Sequence, residues 1–366
     1  MVDTFKLLKK LVETPGPSGF EKRIAAVVKE SWEPLVDEIE IDRIGSLIGV
    51  KHGSGPEPRP RLLLAAHMDE IGLMVTQIVS YPDNDEGNGF LRVSRVGGID
   101  IRHLYDQTVV VHSSKGEETD LVGILGALPE AYLSEERRSK PYDYDELVVD
   151  VGLPVSRVKE MVAVGDFVSF RQPLRKLQNK WITGKALDNR TSVLAVTIAL
   201  EYLATRQHTW DVVAVATAQE ETALLGAFTS AHAQAPDAAV AIDVTFGKGP
   251  GASDALTYAL GSGPTIGFGP NVHPGMYKGL KDAAAALEMK VQDEPHSRGS
   301  GTDAYGLQIA REGIPTGLVG IPLRYMHTMV ETVDLKDVER SGRLLGEFVT
   351  RLDQNFIEEL AKAMTD

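Results

Sequence analysis

Residues 212–221, VVAVATAQEE, narrow the choice of fold more than any other stretch of the sequence. Their first seven residues are small or β-branched and indicate a strand buried on both faces, as in the middle of a parallel sheet. The run ends at two adjacent carboxylates, Glu220 and Glu221. Ligands of such sheets bind beyond the carboxyl ends of the strands. An acidic pair is common at a helix N-terminus, but in a partly dry crevice it is costly unless a cation lies nearby.

Length and composition limit the class of protein. A chain of 366 residues is too long for one ordinary hydrophobic core, so we expect two domains. The net charge of −14 argues against nucleic acid or an anionic membrane as a partner. Because there is no cysteine, any metal must be bound by imidazole and carboxylate. No signal peptide or membrane-spanning run is visible, which predicts a cytoplasmic protein.

The hydrophobic pattern predicts an α/β domain interrupted by a small β domain. Strands of the buried type alternate with helices predicted at 189–204, 224–233, 276–287, 303–311 and 335–364. Between about residues 74 and 171 the pattern changes to short alternating strands, typical of a barrel or sandwich. Near the N-terminus, Ser18 and Glu21 have the spacing of a capping box for a second helix. We therefore assign 1–72 and 178–366 to one domain and 73–177 to an insertion.

Polar side chains follow the predicted strands of the α/β domain. They are His67, Asp188, Glu220, Glu221, Asp243 and His327. Taken singly, a histidine can be an ordinary polar residue, and an aspartate can cap a helix or end a strand in a turn. Together, at the carboxyl edge of one sheet in a chain without thiols, they predict a site for hard or borderline divalent metals.

A charge count suggests different roles for the two adjacent glutamates. If Asp188, Glu221 and Asp243 bind two divalent cations together with a hydroxide, the site is neutral, as burial favours. Glu220 is then left over, and its side chain points in a different direction from that of its neighbour. We therefore expect Glu220 to act as the base on the bridging water.

Several motifs occur in an order that resembles one family. They are PGPSGFE at 15–21, His67-x-Asp69, GKALDNR at 184–190, QEE at 219–221, AID at 241–243, GTDA at 301–304 and RYMH at 324–327. Together they resemble the M42 family of co-catalytic metallo-aminopeptidases. The long interval between His67 and Asp188 also resembles this family, since related carboxypeptidases and deacylases carry their extra domain later. An N-acyl amino acid deacylase or metallo-carboxypeptidase on the same scaffold is the alternative.

The resemblance implies a fold, an assembly and a reaction. The fold is a three-layer α/β/α phosphorylase/hydrolase-like domain with a mainly parallel sheet, interrupted by a small β-barrel-like domain. That inserted domain serves oligomerisation and forms a chamber wall, and members assemble into tetrahedral dodecamers that trim peptides from the N-terminus. The cofactors are two divalent ions, zinc or cobalt, which activate a shared water whose proton passes to the base.

The resemblance also implies roles for individual residues. Asp188 resembles the bridging ligand, followed by a cis peptide. The pairs His67 with Glu221 and Asp243 with His327 resemble the remaining ligands of the two metals. Glu220 resembles the general acid/base, and Asp69 the carboxylate that hydrogen-bonds His67.

Four residues keep two interpretations each. Asp303 is either a functional motif residue or a helix N-cap. Glu331, one predicted helical turn beyond His327, either orients that imidazole or lies on a solvated helix face. His273 and His296 either border the substrate chamber or are ordinary surface histidines.

Two other classes of function explain less of the sequence. An acid pair can cleave sugars, but a glycoside hydrolase would have no use for the histidines. A non-enzymatic peptide-binding module would not explain the residues at the strand ends.

Overall fold

The computed structural model describes residues 3–84, 86–115, 120–128, 130–140, 142–144 and 146–365. Its helices are α1 (Thr4–Glu13), α2 (Lys22–Trp32), α3 (Val155–Met161), α4 (Leu187–Leu203), α5 (Glu220–Ala223), α6 (Leu225–Gln234), α7 (Pro274–Ala286), α8 (Asp303–Gln308), α9 (Leu335–Thr350) and α10 (Phe356–Lys362). None of these described helices is both long and apolar enough to cross a bilayer.

The strands belong to one large sheet and one barrel. The sheet strands are β1 (Glu38–Ile41), β2 (Leu47–Lys51), β3 (Arg61–His67), β10 (Arg175–Lys176), β11 (Trp181–Gly184), β12 (Asp211–Thr217), β13 (Ala238–Phe246), β14 (Thr265–Phe268), β15 (Gln292–Pro295), β16 (Thr316–Arg324) and β17 (Glu331–Asp334). The barrel strands are β4 (Gly72–Tyr81), β5 (Asn88–Val96), β6 (Gln107–His112), β7 (Leu121–Leu125), β8 (Val148–Pro154) and β9 (Phe167–Phe170).

The large sheet is parallel at its centre and antiparallel at its edges. Strands β12, β3, β13 and β16 are neighbours in that order and run parallel. On either side of them β2 and β17 pair antiparallel, and β14 pairs antiparallel with β16 before β15 joins it. The predicted fold class is confirmed, and the carboxyl ends of the four central strands meet at one edge of the sheet.

Alternating side chains of the central strands pack into two cores on opposite faces of the sheet. Leu62 and Leu64 of β3 belong to the core formed with α1, α2, α4, α7 and α9. Leu63 and Ala65 belong to the core formed with α6 and α8. A strand buried on both faces has no solvent side, which is why these segments are almost continuously apolar.

The barrel lies between β3 and β10 in the chain and closes in the order β4-β5-β8-β7-β6-β9. Its own core includes Leu73, Val93, Val111 and Phe170. Because the chain leaves the α/β domain shortly after His67 and returns before β11, the insertion begins next to the predicted site. The limits of the predicted domain ranges, residues 1 and 366, lie outside the described residues.

Two local predictions are wrong. The capping box does not form: α2 begins at Lys22 without a side-chain cap, and the Glu21 carboxylate accepts hydrogen bonds from the Gly19 and Gln219 amides. The helix predicted at 335–364 is two helices, α9 and α10. Between them, the Asp353 carboxylate accepts hydrogen bonds from the amides of Asn355 and Phe356.

Candidate active site

Strand register brings His67 and Asp243 together. Ala65 of β3 pairs with Ala241 of β13, so the residues two positions further along each strand lie side by side. His67 Nε2 is 3.9 Å from Asp243 Oδ1, and both residues are buried. The last residue of β12, Thr217, pairs with His67 on the other side of β3. Hydrogen bonding between the central strands therefore fixes the positions of His67 and Asp243 relative to each other.

Asp188 lies between the two histidines of the site. Its Oδ1 is 3.1 Å from His67 Nε2, and its Oδ2 is 3.4 Å from His327 Nε2. The Asp188–Asn189 peptide is cis, as the family resemblance implies, and Ala186 before it has a positive φ of 53°. The Asn189 side chain donates a hydrogen bond from Nδ2 to the Ile242 carbonyl, which joins this turn to β13.

The structure gathers the predicted ligands into two groups that share Asp188. His67, Asp188 and Asp243 form one group, and Asp188, Glu221 and His327 form the other; in each group the candidate ligand atoms lie within 4.8 Å of one another. This corrects the pairing of His67 with Glu221 and of Asp243 with His327. The reason is geometric: His67 and Asp243 end two neighbouring strands, whereas the chain beyond β12 directs Glu221 toward His327, with its Oε2 3.6 Å from His327 Nε2.

Glu220 belongs to neither group. Its Oε2 is 3.7 Å from His67 Nε2, and its side chain is 9% exposed where it lines the crevice in front of the sheet edge. Gln219 before it has a φ of 57°, which turns the chain sharply after β12. The two neighbouring glutamates therefore differ: Glu221 faces His327, and Glu220 faces His67.

Two buried carboxylates, Asp69 and Glu331, accept hydrogen bonds from backbone amides of the site residues. Asp69 accepts hydrogen bonds from the Glu220 amide at Oδ1 (3.1 Å) and the Glu221 amide at Oδ2 (3.2 Å), and its Oδ1 lies 3.5 Å from His67 Nδ1. Glu331 accepts hydrogen bonds from the Asp188 and His327 amides, both at 3.0 Å. Each carboxylate thus ties together two residues of the site.

The open interpretations of the sequence can now be decided in part. Glu331 is 1% exposed and begins strand β17, so the solvated helix face is wrong. Thr302, not Asp303, caps α8; Asp303 is buried and accepts a hydrogen bond from Thr217 at 2.5 Å. His296 lines the crevice, whereas His273 caps α7. The Glu331 bridge was not expected, because it depends on the turn that follows β16.

Burial and crowding of like charges dominate the electrostatics of the site. Burial raises the pKa of Glu220 and of Asp243 well above the ordinary values. Burial, reinforced by the charge of Asp188, raises the pKa of Glu221 to about 8. Negative charge is therefore in excess here, and an added cation would favour the ionised carboxylates.

The pKa values of Asp188, His67 and His327 are shifted in the direction that favours the charged form of each side chain. Burial opposes ionisation of Asp188, but hydrogen bonds with His327 and His67 outweigh it and hold its pKa below the ordinary value. Burial also opposes a charge on the histidines, but the surrounding carboxylates overcome it. The pKa of His67 lies well above its ordinary value, and that of His327 rises to about 9.

The site opens into a crevice of about 1010 Å³. Its lining includes Thr245, Phe246 and Glu294 from the sheet edge and Arg298 from the loop after β15. From the barrel, Gly98 approaches so closely that a Cβ atom there would lie 2.7 Å from His327 Nδ1. The crevice is thus bordered by both domains and has room for a peptide segment.

Comparisons with known proteins agree over almost the whole chain. The sequence matches the family described as M42 glutamyl aminopeptidase over residues 45–344. It is 36% identical over 349 residues to lysyl aminopeptidase of Pyrococcus furiosus, covering 94% of this chain and 96% of the relative. The structure resembles a TET aminopeptidase of Thaumarchaeota archaeon SCGC AB-539-E09 (TM-score 0.89, 30% identity, 98% and 100% covered). It also resembles the Pyrococcus horikoshii TET1 peptidase, described as assembling into a tetrahedron or a large octahedral shell (TM-score 0.82, 32% identity, 96% and 100% covered).

Proposed function

Because this chain belongs to the M42 family of aminopeptidases, we propose that it removes N-terminal residues from peptides with two divalent cations and with Glu220 as the general base. One observation carries the proposal. Asp188 presents one carboxylate oxygen to each histidine, at the junction of two groups of three possible ligands. A single shared carboxylate between two such groups is suited to a pair of bridged metal ions.

The residues present fit two divalent cations. Three carboxylates, those of the buried Asp188 and Asp243 and that of Glu221 with its side chain 4% exposed, lie in groups that also contain His67 and His327. Crowded buried carboxylates are costly without a compensating cation, and imidazole with carboxylate suits zinc or cobalt. Bound there, the two ions would act as Lewis acids toward the scissile carbonyl and lower the pKa of a water.

Glu220 is positioned to transfer the proton in this reaction. Its carboxylate is outside both ligand groups and lines the crevice. Its raised pKa suits a group that must take a proton from water and return it to the leaving amine. Asp69 fixes the peptide of Glu220 and contacts His67, so it positions the base and one ligand together.

The acidic site also explains the choice of an N-terminal residue. A free α-amine is cationic or readily becomes so, and it would be attracted by Glu220, a crevice carboxylate that lies outside both ligand groups. An acylated terminus lacks that charge. We therefore propose exopeptidase action on free N-termini, with residues 1–72 and 178–366 as the catalytic domain.

For the inserted domain, residues 73–177, we propose a role in self-association, with the barrel as a wall of an enclosed chamber in a tetrahedral dodecamer. The TET1 peptidase described above supports the idea by its own assembly. On this chain, Val122 and Ile124 are each 52% exposed on neighbouring outward positions of β7. Apolar side chains of this kind favour an interface between subunits.

The test is activity on a panel of aminoacyl-anilides, with N-acetylated anilides and N-acyl amino acids alongside. We expect hydrolysis of free-amine anilides only, lost with a chelator and restored by zinc or cobalt. The Glu220→Gln variant should keep both metal ions by elemental analysis while turnover falls about 10²- to 10⁴-fold, the range for loss of a general base.

Glu221→Gln is the matched control, because it changes the neighbouring carboxylate that lies within a ligand group. It should lose metal as well as turnover. Equal metal loss in both variants would remove the distinction between base and ligand. Cleavage of N-acyl amino acids in preference to anilides would instead identify a deacylase or carboxypeptidase.

A further inference from the structure

The crevice contains a buried carboxylate that neither ligand group uses, Glu294 on β15. It is 7% exposed. Thr245 donates a hydrogen bond to its Oε1 at 2.6 Å, and Thr265 donates one to its Oε2 at 2.5 Å. A carboxylate has about four acceptor positions, so these two hydroxyls orient the group without using all of its capacity.

Sheet geometry places Glu294 at a defined position relative to the site. Thr245 follows Asp243 by two residues on β13, so both side chains are on the same face, about 7 Å apart along the strand. Gly320 of β16 pairs with both Asp243 and Thr265. A Cβ atom on Gly320 would lie 2.8 Å from Glu294 Oε2, so glycine leaves the space that the carboxylate occupies.

Glu294 lacks a permanent cationic partner. Among the described residues, no lysine or arginine forms an ion pair with it; the ionisable neighbour is His296, with Nε2 3.5 Å from Oε1. That Nε2 is buried and makes no hydrogen bond. A buried carboxylate is stable when a positive charge accompanies it, and the crevice is the route by which a substrate can bring one.

The walls of the crevice suit the rest of a long cationic side chain. Phe246, Leu256 and Leu318 are apolar residues that line the same crevice as Glu294. Lysine and arginine lay their aliphatic stems on apolar surfaces while the charged end reaches a polar partner. Lysine carries its ammonium on a flexible four-carbon stem, and the planar guanidinium of arginine suits a carboxylate.

We propose that Glu294 selects substrates whose first residue is lysine or arginine. The inference rests on the proposed function, because it requires the α-amine to bind at the metal site. An N-terminal glutamate or aspartate would place its carboxylate against that of Glu294 and be rejected. The charge of Glu294 also affects Tyr258, whose pKa is raised to about 12 by burial and, second, by that charge. The net charge of −14 also attracts cationic peptides.

The experiment compares kcat/KM for lysyl-, arginyl-, leucyl- and glutamyl-anilides with the metal-loaded protein. The wild type should prefer the two cationic substrates. Glu294→Gln keeps the hydrogen-bonding shape and should lower kcat/KM for the lysyl substrate at least about 30-fold, as expected for loss of one partner of a buried charge pair. The value for the leucyl substrate should change less than about threefold.

Asp293→Asn is the matched control. It is the adjacent carboxylate on β15, but it is exposed and pairs with Lys281 and Tyr277 away from the crevice. Asp293→Asn should leave the ratios of kcat/KM between the four substrates unchanged. Equal losses for lysyl and leucyl substrates in Glu294→Gln would assign Glu294 a structural role and overturn the proposal, as would a wild-type preference for leucyl or glutamyl substrates. In those cases aminopeptidase activity stands; hydrolysis of no anilide at all would overturn the proposed function itself.

Discussion

The two halves of the site are built in different ways. The inner half, His67 and Asp243, lies at the ends of adjacent parallel strands, and both residues are buried. The outer half consists of Glu221, in the short helix α5 that follows β12, and His327, in the turn after β16; the His327 side chain is 34% exposed. Asp188 joins the two halves. Strand pairing fixes the first half, whereas the second depends on backbone turns and on the neighbouring domain.

The outer half needs unusual backbone conformations. Gln219, Tyr325 and His327 all have positive φ values, between 57° and 62°, a region that non-glycine residues seldom occupy. Gly97 and Gly98 of the barrel pack directly against Glu221 and His327. These two glycines of the inserted domain therefore border the outer half of the site. We therefore expect an outer ion to be held more weakly than an inner ion.

The largest effect should come from the residue that joins the halves. Asp188→Asn removes negative charge from both ligand groups, so we expect both ions to be lost and turnover to fall to background. Metal content by elemental analysis, with circular dichroism to check folding, measures this. Retention of two ions at full affinity would show that the two halves of the site do not share Asp188 as a ligand.

A substitution in the inserted domain should weaken metal binding in one half of the site and not in the other. In Gly98→Ala the new Cβ would lie 2.7 Å from His327 Nδ1 and must displace the imidazole. We expect the affinity for one ion to fall about 10- to 100-fold, as when an outer contact of a ligand is lost, while the other ion is unaffected. Metal titration by calorimetry would resolve the two sites.

Gly126→Ala is the control for that variant, because it lies in the same inserted domain with no atom within 4 Å of the added Cβ. It should bind both ions as the wild type does. A parallel weakening of both ions in Gly98→Ala would mean that the barrel supports the whole site and not the outer half.

The same division explains what could be predicted from the sequence. The two members of the inner half could be predicted as site residues, though not as a pair, because apolar strands ending in His67 and Asp243 are recognisable from local pattern and parallel strands align their ends. The layered fold and the presence of a separate small β domain follow from the same patterns, which do not distinguish a barrel from a sandwich. Each of these features depends on periodicity within a short segment.

The outer half could not be assembled in this way. Glu331 appeared to lie on a helix, but it begins β17 and bridges two site amides. Glu21 appeared to cap its own helix, but it accepts a hydrogen bond from Gln219, far away in the sequence. The pairing of ligands and the approach of Gly98 depend on turns with positive φ and on contact between domains, which leave no periodic signal.

The smallest expected effect is on the pH dependence of stability without metal. In the metal-free protein the pKa of Glu221 is raised from 4.5 to about 8 and that of His327 from 6.5 to about 9. A raised folded-state pKa contributes stability that is present below the unfolded value and is lost as pH rises through the folded value. Both groups therefore predict that the metal-free protein becomes less stable between about pH 5 and 9.

Bound cations reverse this trend, because they favour ionised carboxylates and neutral imidazoles. The difference in Tm between metal-loaded and chelator-treated protein should therefore widen by roughly a few degrees across that range, as measured by differential scanning fluorimetry. Taking the difference cancels titrating groups outside the site. Glu221→Gln removes one titrating group of the outer half, while the titrating groups of the inner half remain. In this variant the difference in Tm should therefore still increase with pH, but by less than in the wild type. A difference that narrows with pH in the wild type would mean that the carboxylates of the outer half are ionised before any cation binds.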